Sequence, residues 1–104
     1  MIRGTTPNYV LTIDGYDLSD KTVFVTIRQG QAQVTKTGEQ LSVVADESGS
    51  TIAFMLTQQD TFVLSDGNAE IQVRFIDSAG TAYATEIASI VVGRVLYERV
   101  IAHG

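Results

Sequence analysis

An alternation of apolar and polar residues with a period of two constrains the fold of this chain more than any other feature of its sequence. The alternation is clearest in residues 69–77, where three large apolar side chains alternate with Glu, Gln and Arg. Successive side chains of a β-strand point to opposite faces, so this pattern is typical of a strand with one buried face. Turn residues recur about every 8 to 14 positions, as expected of an antiparallel sandwich or barrel.

Seven segments carry this strand signal, and they predict an all-β antiparallel β-sandwich of about seven strands. The segments are residues 8–14, 22–29, 31–37, 41–47, 51–57, 69–77 and 81–92. The third is polar and is expected at a sheet edge. Residues 48–50 predict a hairpin turn between the fourth and fifth strands. Residues 58–64 break the alternation, which predicts a single helical turn or loop that crosses between the sheets.

The length of the chain favours a single domain. With 104 residues and no cysteine, it has room for one core and no possibility of a disulfide framework or a thiolate metal site. We therefore predict one domain over residues 1–104, with residues 1–8 as an N-terminal arm. Residues 94–104 have an irregular apolar spacing and are expected to form a C-terminal arm or a short helix.

The charge pattern argues against several classes of partner. Only 18% of the residues are charged, the net charge is −5, and the seven basic residues are scattered. Nucleic-acid binding needs clustered Lys and Arg, so we expect no nucleic-acid partner. Apolar stretches such as residues 87–92 are too short to span a bilayer, and the N-terminus lacks the apolar core of a signal peptide. Synthesis in the cytoplasm without membrane insertion is expected.

The sequence contains no recognisable catalytic constellation. Its one histidine, His103, is close to the end of the chain, and no nucleophile elbow or P-loop motif is present. We therefore predict a protein that is not an enzyme, with no catalytic residue and no cofactor. A hydrolase built on loop carboxylates is the least favoured alternative.

Asp14, Asp17 and Asp20 are concentrated in one predicted loop. Three carboxylates are able to contribute oxygens to a Ca²⁺ site, but their spacing does not match an EF-hand. Asx turns, in which Asp side chains accept hydrogen bonds from nearby amides, are the favoured interpretation. No metal site is predicted.

The eight aromatic residues are spread along the chain, and Phe54 and Phe75 fall on inward faces. Core packing is therefore favoured over a sugar-stacking platform. Phe24, Val44 and Met55 lie opposite the main apolar rows of their strands, so one of those outer faces is a candidate contact surface.

Apolar residues close to both termini need to be covered, either by the domain itself or by a neighbouring chain. Such ends are suited to extending onto a partner, so we predict an interface at the two terminal segments. Its candidate residues are Ile2, Arg3, Pro7, Val95, Leu96, Tyr97, Val100 and Ile101.

Six short motifs of the chain are MIRGTTP (1–7), LTQQDT (56–61), IQVRF (71–75), GTA (80–82), VGRVL (92–96) and VI (100–101). Together they resemble a family of roughly 100-residue proteins encoded in the tail and structural-gene regions of Firmicutes phages and prophages. The resemblance covers nearly the whole chain. It implies an immunoglobulin-like domain, similar to the N-terminal domain of upper baseplate proteins.

The resemblance also implies a location and a role. We expect a virion structural protein of the tail, baseplate or fibre region that is assembled in the host bacterial cytoplasm. Its partners would be other virion proteins and further copies of itself in a symmetric assembly, which would cover its strand edges and termini. Two alternatives stay open: a receptor- or carbohydrate-binding module on the virion, and a capsid decoration or neck protein.

Overall fold

A computed structural model describes residues 1–102 and shows two packed antiparallel sheets with one short helix. The strands are β1 (Asn8–Asp14), β2 (Thr22–Gln29), β3 (Ala32–Thr37), β4 (Ser42–Asp46), β5 (Gly49–Met55), β6 (Gly67–Ile76), β7 (Ala82–Ala84) and β8 (Ala88–Val92). The helix α1 (Gln58–Val63) follows β5, and a 3-10 turn covers Gly38–Gln40. No helix within residues 1–102 has the length and apolarity needed to cross a bilayer.

The strand order is that of an immunoglobulin-like sandwich. The smaller sheet has the order β1-β5-β4, and the larger sheet has the order β3-β2-β6, with β7 and β8 both pairing with β6. These strands take the positions of the B, E and D strands in one immunoglobulin sheet and of the C′, C, F and G strands in the other. The predicted all-β immunoglobulin-like sandwich is therefore confirmed.

The core lies between the inward rows of the two sheets and is almost wholly aliphatic. The predicted inward residues of β2 and β6 are buried, and so are Ile52 and Phe54 of β5. An antibody domain places a disulfide and a Trp at this level, but this sequence has neither Cys nor Trp. Each fully buried Leu, Ile or Val contributes roughly 1.5 to 3 kcal/mol, so close packing stabilises the core without a disulfide.

The hairpin between β4 and β5 is present, but its turn lies earlier than the predicted residues 48–50. Asp46 pairs with Gly49, and the Asp46 carboxylate accepts hydrogen bonds from the Ser48 amide and hydroxyl, both at 2.8 Å. These bonds hold the pKa of Asp46 below its usual value. Gly49 has a φ of 154°, and a Cβ there would lie 2.2 Å from the Ile13 carbonyl oxygen. Only glycine lets β1 pass this close to the turn.

The predicted strand over residues 81–92 is interrupted, which is why eight strands form instead of seven. Ala84 pairs with Arg74, and Ala88 pairs with Ile71. The chain therefore advances four residues from β7 to β8 while its partner β6 advances only three. The extra residue makes a β-bulge. Thr85 spans the break: its backbone amide donates to the Val73 carbonyl at 2.9 Å, and its hydroxyl accepts from the Val73 amide at 3.1 Å.

The edge strand β3 was predicted to be polar, but it turns a charged residue inward. Lys36 is buried, and its Nζ lies 2.7 Å from Oδ2 of Asp60 in the first turn of α1. The Asp60 carboxylate also accepts from the Thr57 amide at 2.8 Å, which completes a capping box. Partial burial by itself would raise the pKa of Asp60, but the hydrogen bonds from Lys36 and Thr57 outweigh it and the pKa is lowered. The ion pair thus ties the edge of the larger sheet to the crossing helix.

The substitution Asp60→Asn should lower the free energy of unfolding by about 2 kcal/mol near neutral pH, because it removes a charged hydrogen bond from Lys36. The folded-state pKa of Asp60 lies below its unfolded value of about 3.9. The stability that the ionised Asp60 carboxylate contributes is therefore fully present above the unfolded-state pKa and is lost as the pH falls through the folded-state pKa. Urea denaturation at about pH 6 and about pH 3 should show a smaller loss of stability on acidification in Asp60→Asn than in the wild type.

Asp66→Asn is the matched control, since Asp66 is exposed in the loop before β6. It should leave both the stability and its pH dependence unchanged. An identical acid-induced loss in the wild type and in Asp60→Asn would contradict a stabilising role for this ion pair.

Candidate docking surface

The first residues of the chain lie against the end of the larger sheet. Ile2 forms a parallel bridge with Gly93, the Gly93 amide donates to the Met1 carbonyl at 2.6 Å, and the Arg3 amide donates to the Gly93 carbonyl at 3.1 Å. The segment predicted as an N-terminal arm is thus hydrogen-bonded to its own domain. Of the three candidate interface residues in it, Ile2 alone presents a large apolar side chain to solvent.

Arg3 has an internal, positioning role in this structure. Its Nε donates to the Leu64 carbonyl at 2.6 Å, and a second nitrogen lies 2.9 Å from the Glu98 carboxylate. The guanidinium also lies over the Phe62 ring, 5.4 Å from its centroid. Arg3 therefore joins the N-terminal segment, the end of α1 and the C-terminal segment. Pro7 is half-buried, and its carbonyl accepts from the Leu56 amide at 3.0 Å.

Residues 94–102 form no helix or strand and bend at residues 96, 97 and 99, so the C-terminal segment is an irregular arm over its described length. His103 lies outside the described residues. Gln58 of α1 holds the arm by two bonds to the backbone of Ile101, at 2.9 and 2.8 Å. Leu96 is 88% exposed, and Tyr97, Val100 and Ile101 are also exposed, whereas Val95 is half-buried. The structure thus brings the arm and the N-terminal segment together beside α1.

A second apolar surface lies on the outer face of the smaller sheet. Val10 and Val44 are 65% and 66% exposed, and Met55 is exposed as well. The positions around them are Ser, Thr, Ala and Asn, and the acidic residues of this face stand at one end, at Asp14 and Asp46. Val44 and Met55 were predicted as contact candidates, whereas Val10 was missed. Phe24 lies on the other sheet and does not join this surface.

Three of the eight aromatic residues, although spread along the chain, form a cluster that was not predicted from the sequence. The rings of Tyr16, Phe75 and Tyr83 contact one another with centroid distances of 5.2 to 5.5 Å. Phe75 is buried, while Tyr16 and Tyr83 are exposed. The β1–β2 loop, β6 and β7 bring these distant residues together, so no local sequence pattern shows the cluster.

The acidic loop before β2 contains the predicted Asx turn. The Asp17 carboxylate accepts from the Ser19 hydroxyl at 2.5 Å and from the Ser19 amide at 3.0 Å, and these bonds lower the pKa of Asp17. The buried Leu18 anchors the loop through its amide, which donates to the Ser50 hydroxyl at 2.8 Å. Among residues 1–102, no group of three or more acidic or His side chains has the spacing of a metal site.

A groove of about 460 Å³ lies on the outer face of the larger sheet. Arg28 and Arg74 line it together with Glu70, and Arg28 pairs directly with Glu70 across the strands. The remaining lining is mostly Thr and Gln. Because charges of both signs share this groove, it favours neither an anionic nor a cationic ligand.

Comparisons with known proteins do not assign a family. No family model matches the sequence, and no curated protein matches it. Among solved structures, one described as murine CRIg is similar to this chain, with 12% sequence identity and a TM-score of 0.37. The similarity covers 92% of this chain and 90% of that one.

The two bonds from Gln58 predict how firmly the C-terminal arm is held. Gln58→Ala should release the arm and speed tryptic cleavage after Arg94 and Arg99 several-fold, because proteolysis requires local opening of the backbone. Mass spectrometry of timed digests measures the rate. Gln59→Ala is the control, since Gln59 is exposed and adjacent. Equal cleavage rates in both variants would show that Gln58 does not hold the arm.

Proposed function

We propose that this chain is a non-enzymatic docking subunit of a phage virion, located in the tail, baseplate or fibre region. The observation that carries the docking role is the C-terminal arm, which follows the last strand and exposes Leu96, Tyr97, Val100 and Ile101. Large apolar side chains concentrated on one exposed segment are typical of protein–protein contact sites. The arm is thus the principal docking element.

The energetics favour burial of this arm against a partner. Fully covering an exposed side chain such as Leu96 contributes roughly 1.5 to 3 kcal/mol, so four exposed residues on one segment offset part of the cost of association and of ordering the arm. The Gln58 bonds and the Arg3–Glu98 ion pair supply that partial order. A partner therefore meets an arm with restricted freedom.

The phage setting rests on the sequence motifs, above all residues 1–7 and 56–61. The surface chemistry is compatible with a subunit surrounded by others, because 18% of the residues are charged and a second apolar face surrounds Val44. Repeated copies in a closed symmetric assembly would cover both surfaces. Its partners are then other virion structural proteins and further copies of this chain.

Deletion of residues 95–104 should leave a folded monomer and abolish assembly. The last residue of the core is Val92, so the truncation removes no fully buried side chain among the described residues. Sedimentation velocity measures the assembly state, and circular dichroism checks that the sheet content is kept. The full chain should sediment as an oligomer and the truncated chain as a monomer. Unchanged sedimentation of the truncated protein would refute docking through the arm.

The aromatic cluster favours a second candidate function, a receptor- or carbohydrate-binding module. Exposed Tyr16 and Tyr83 stand beside Phe75, and aromatic faces with a polar end suit ligands that are partly apolar. Under the docking proposal, the isolated domain should bind no glycan on an array. Glycan binding that is lost in Tyr83→Ala and kept in Tyr97→Ala would instead support the carbohydrate-binding function.

A further inference from the structure

One flank of the sandwich is open between β1 and the bulge that separates β7 from β8. A groove of about 310 Å³ runs there, with residues 11–13 on one wall and Thr85, Glu86 and Ala88 on the other. Its floor includes Ile71 and Val73, whose exposed fractions are only 7% and 3%. The groove therefore gives access to the edge of the hydrophobic core.

The strand that would close this flank is missing from the described part of the chain. In an immunoglobulin sandwich, a first strand pairs with the outer edge of the strand at the β1 position. Here the N-terminal residues lie elsewhere: the Met1 amino group donates to the Val91 carbonyl at 3.0 Å, three residues beyond Ala88. Within residues 1–102, β1 pairs with β5 alone. Its other edge presents every second amide and carbonyl to the open flank.

We propose that this groove binds the C-terminal arm, residues 94–101, of a second copy of the chain as a strand added to β1. This inference rests on the docking function proposed above and names its partner. The arm forms no helix and no strand pairing of its own, so its backbone is available for pairing with another chain. Backbone bonds to the β1 edge would hold it, and one face of the added strand would place Val95, Tyr97 and Ile101 toward the groove and Arg99 at its rim, which is β-augmentation.

The charges of the two surfaces are complementary. Glu86 lines the groove and Asp14 stands at the end of β1, and no basic side chain lines the groove. The arm carries exposed Arg94 and Arg99 on either side of Leu96 and Tyr97. Its acidic residue, Glu98, is paired with Arg3 of its own chain. The arm thus presents positive charge to an acidic rim, which favours this pairing.

The arm of the same chain does not reach the groove in this structure. β8 leads away from the groove toward Gly93, and the arm is then held beside α1 by Gln58 and Arg3. A second copy is able to approach the flank freely. Two copies that exchange arms reciprocally would form a closed two-fold dimer in which each groove is filled once.

Because the sequence contains no cysteine, disulfides in a cross-linking test form only between cysteines that are introduced. A Thr12→Cys copy is mixed with copies that carry one cysteine at each position from 95 to 100 in turn, and disulfides form under mild oxidation. Thr12 is exposed on β1 and lines the groove. We expect disulfide-linked heterodimers at alternate arm positions, because strand pairing brings every second side chain to the same face. Gln33→Cys, exposed on β3 of the larger sheet, replaces Thr12→Cys as the control and should give background only.

A charge reversal provides an independent measurement. Glu86→Lys should raise the dissociation constant of the dimer about tenfold, since it places a like charge opposite Arg99. Asp66→Lys, the same reversal at an exposed loop position, should have little effect. Both variants leave the core intact, so circular dichroism should match the wild type.

The outcomes separate this inference from the docking function. If truncation of the arm abolishes assembly while Thr12→Cys gives no more heterodimer than Gln33→Cys, the arm docks elsewhere and the groove proposal is overturned. If the full chain and the truncated chain are both monomeric, both proposals fail. Cross-links that do not alternate along the arm would also overturn strand addition.

Discussion

The ladder between β2 and β6 is the contact on which the rest of the structure depends. Residues 22–28 pair antiparallel with residues 70–76, and the inward side chains of both strands are buried. β3 adds to one side of this pair, β7 and β8 add to the other, and the smaller sheet packs against its apolar face. A shift of one residue would turn every inward side chain to solvent, so burial fixes the register and with it the position of each edge and loop.

Local patterning was sufficient to predict the strands, and non-local contacts account for most of what it missed. β1 and β2 have the predicted bounds, and α1 occupies the segment where the alternation stops. The bulge at Thr85 was not predicted. The Thr85 hydroxyl, in place of a backbone carbonyl, accepts the hydrogen bond from the Val73 amide, and a Thr within a strand segment does not indicate such a contact. The Lys36–Asp60 pair and the aromatic cluster each join residues that are distant along the chain.

For the candidate docking surface too, some residues were predictable from the sequence and others depended on non-local contacts. The exposure of Leu96, Val100 and Ile101 was predictable from their composition and position. The role of Arg3 was not, since its partners Leu64 and Glu98 are brought to it only by the parallel bridge between Ile2 and Gly93. A parallel pairing of two termini leaves no periodic signal in either segment. The sequence therefore shows which residues are apolar, and the fold determines which of them stay exposed for contact with a partner.

The strand edges differ in how they are protected against the addition of another strand, and this difference singles out the edge of β1 at the open flank. The edge strand β3 carries the buried Lys36, and a charge that points inward on an edge strand discourages the addition of another chain. β7 has three residues and β4 has five, so both offer short templates. β1 has seven residues, no Pro, and no charge before Asp14 at its end. It borders an apolar groove, so it is the long edge among residues 1–102 without such protection. An edge of this kind promotes aggregation unless a strand covers it, and a partner strand that binds there therefore gains affinity while protecting the fold.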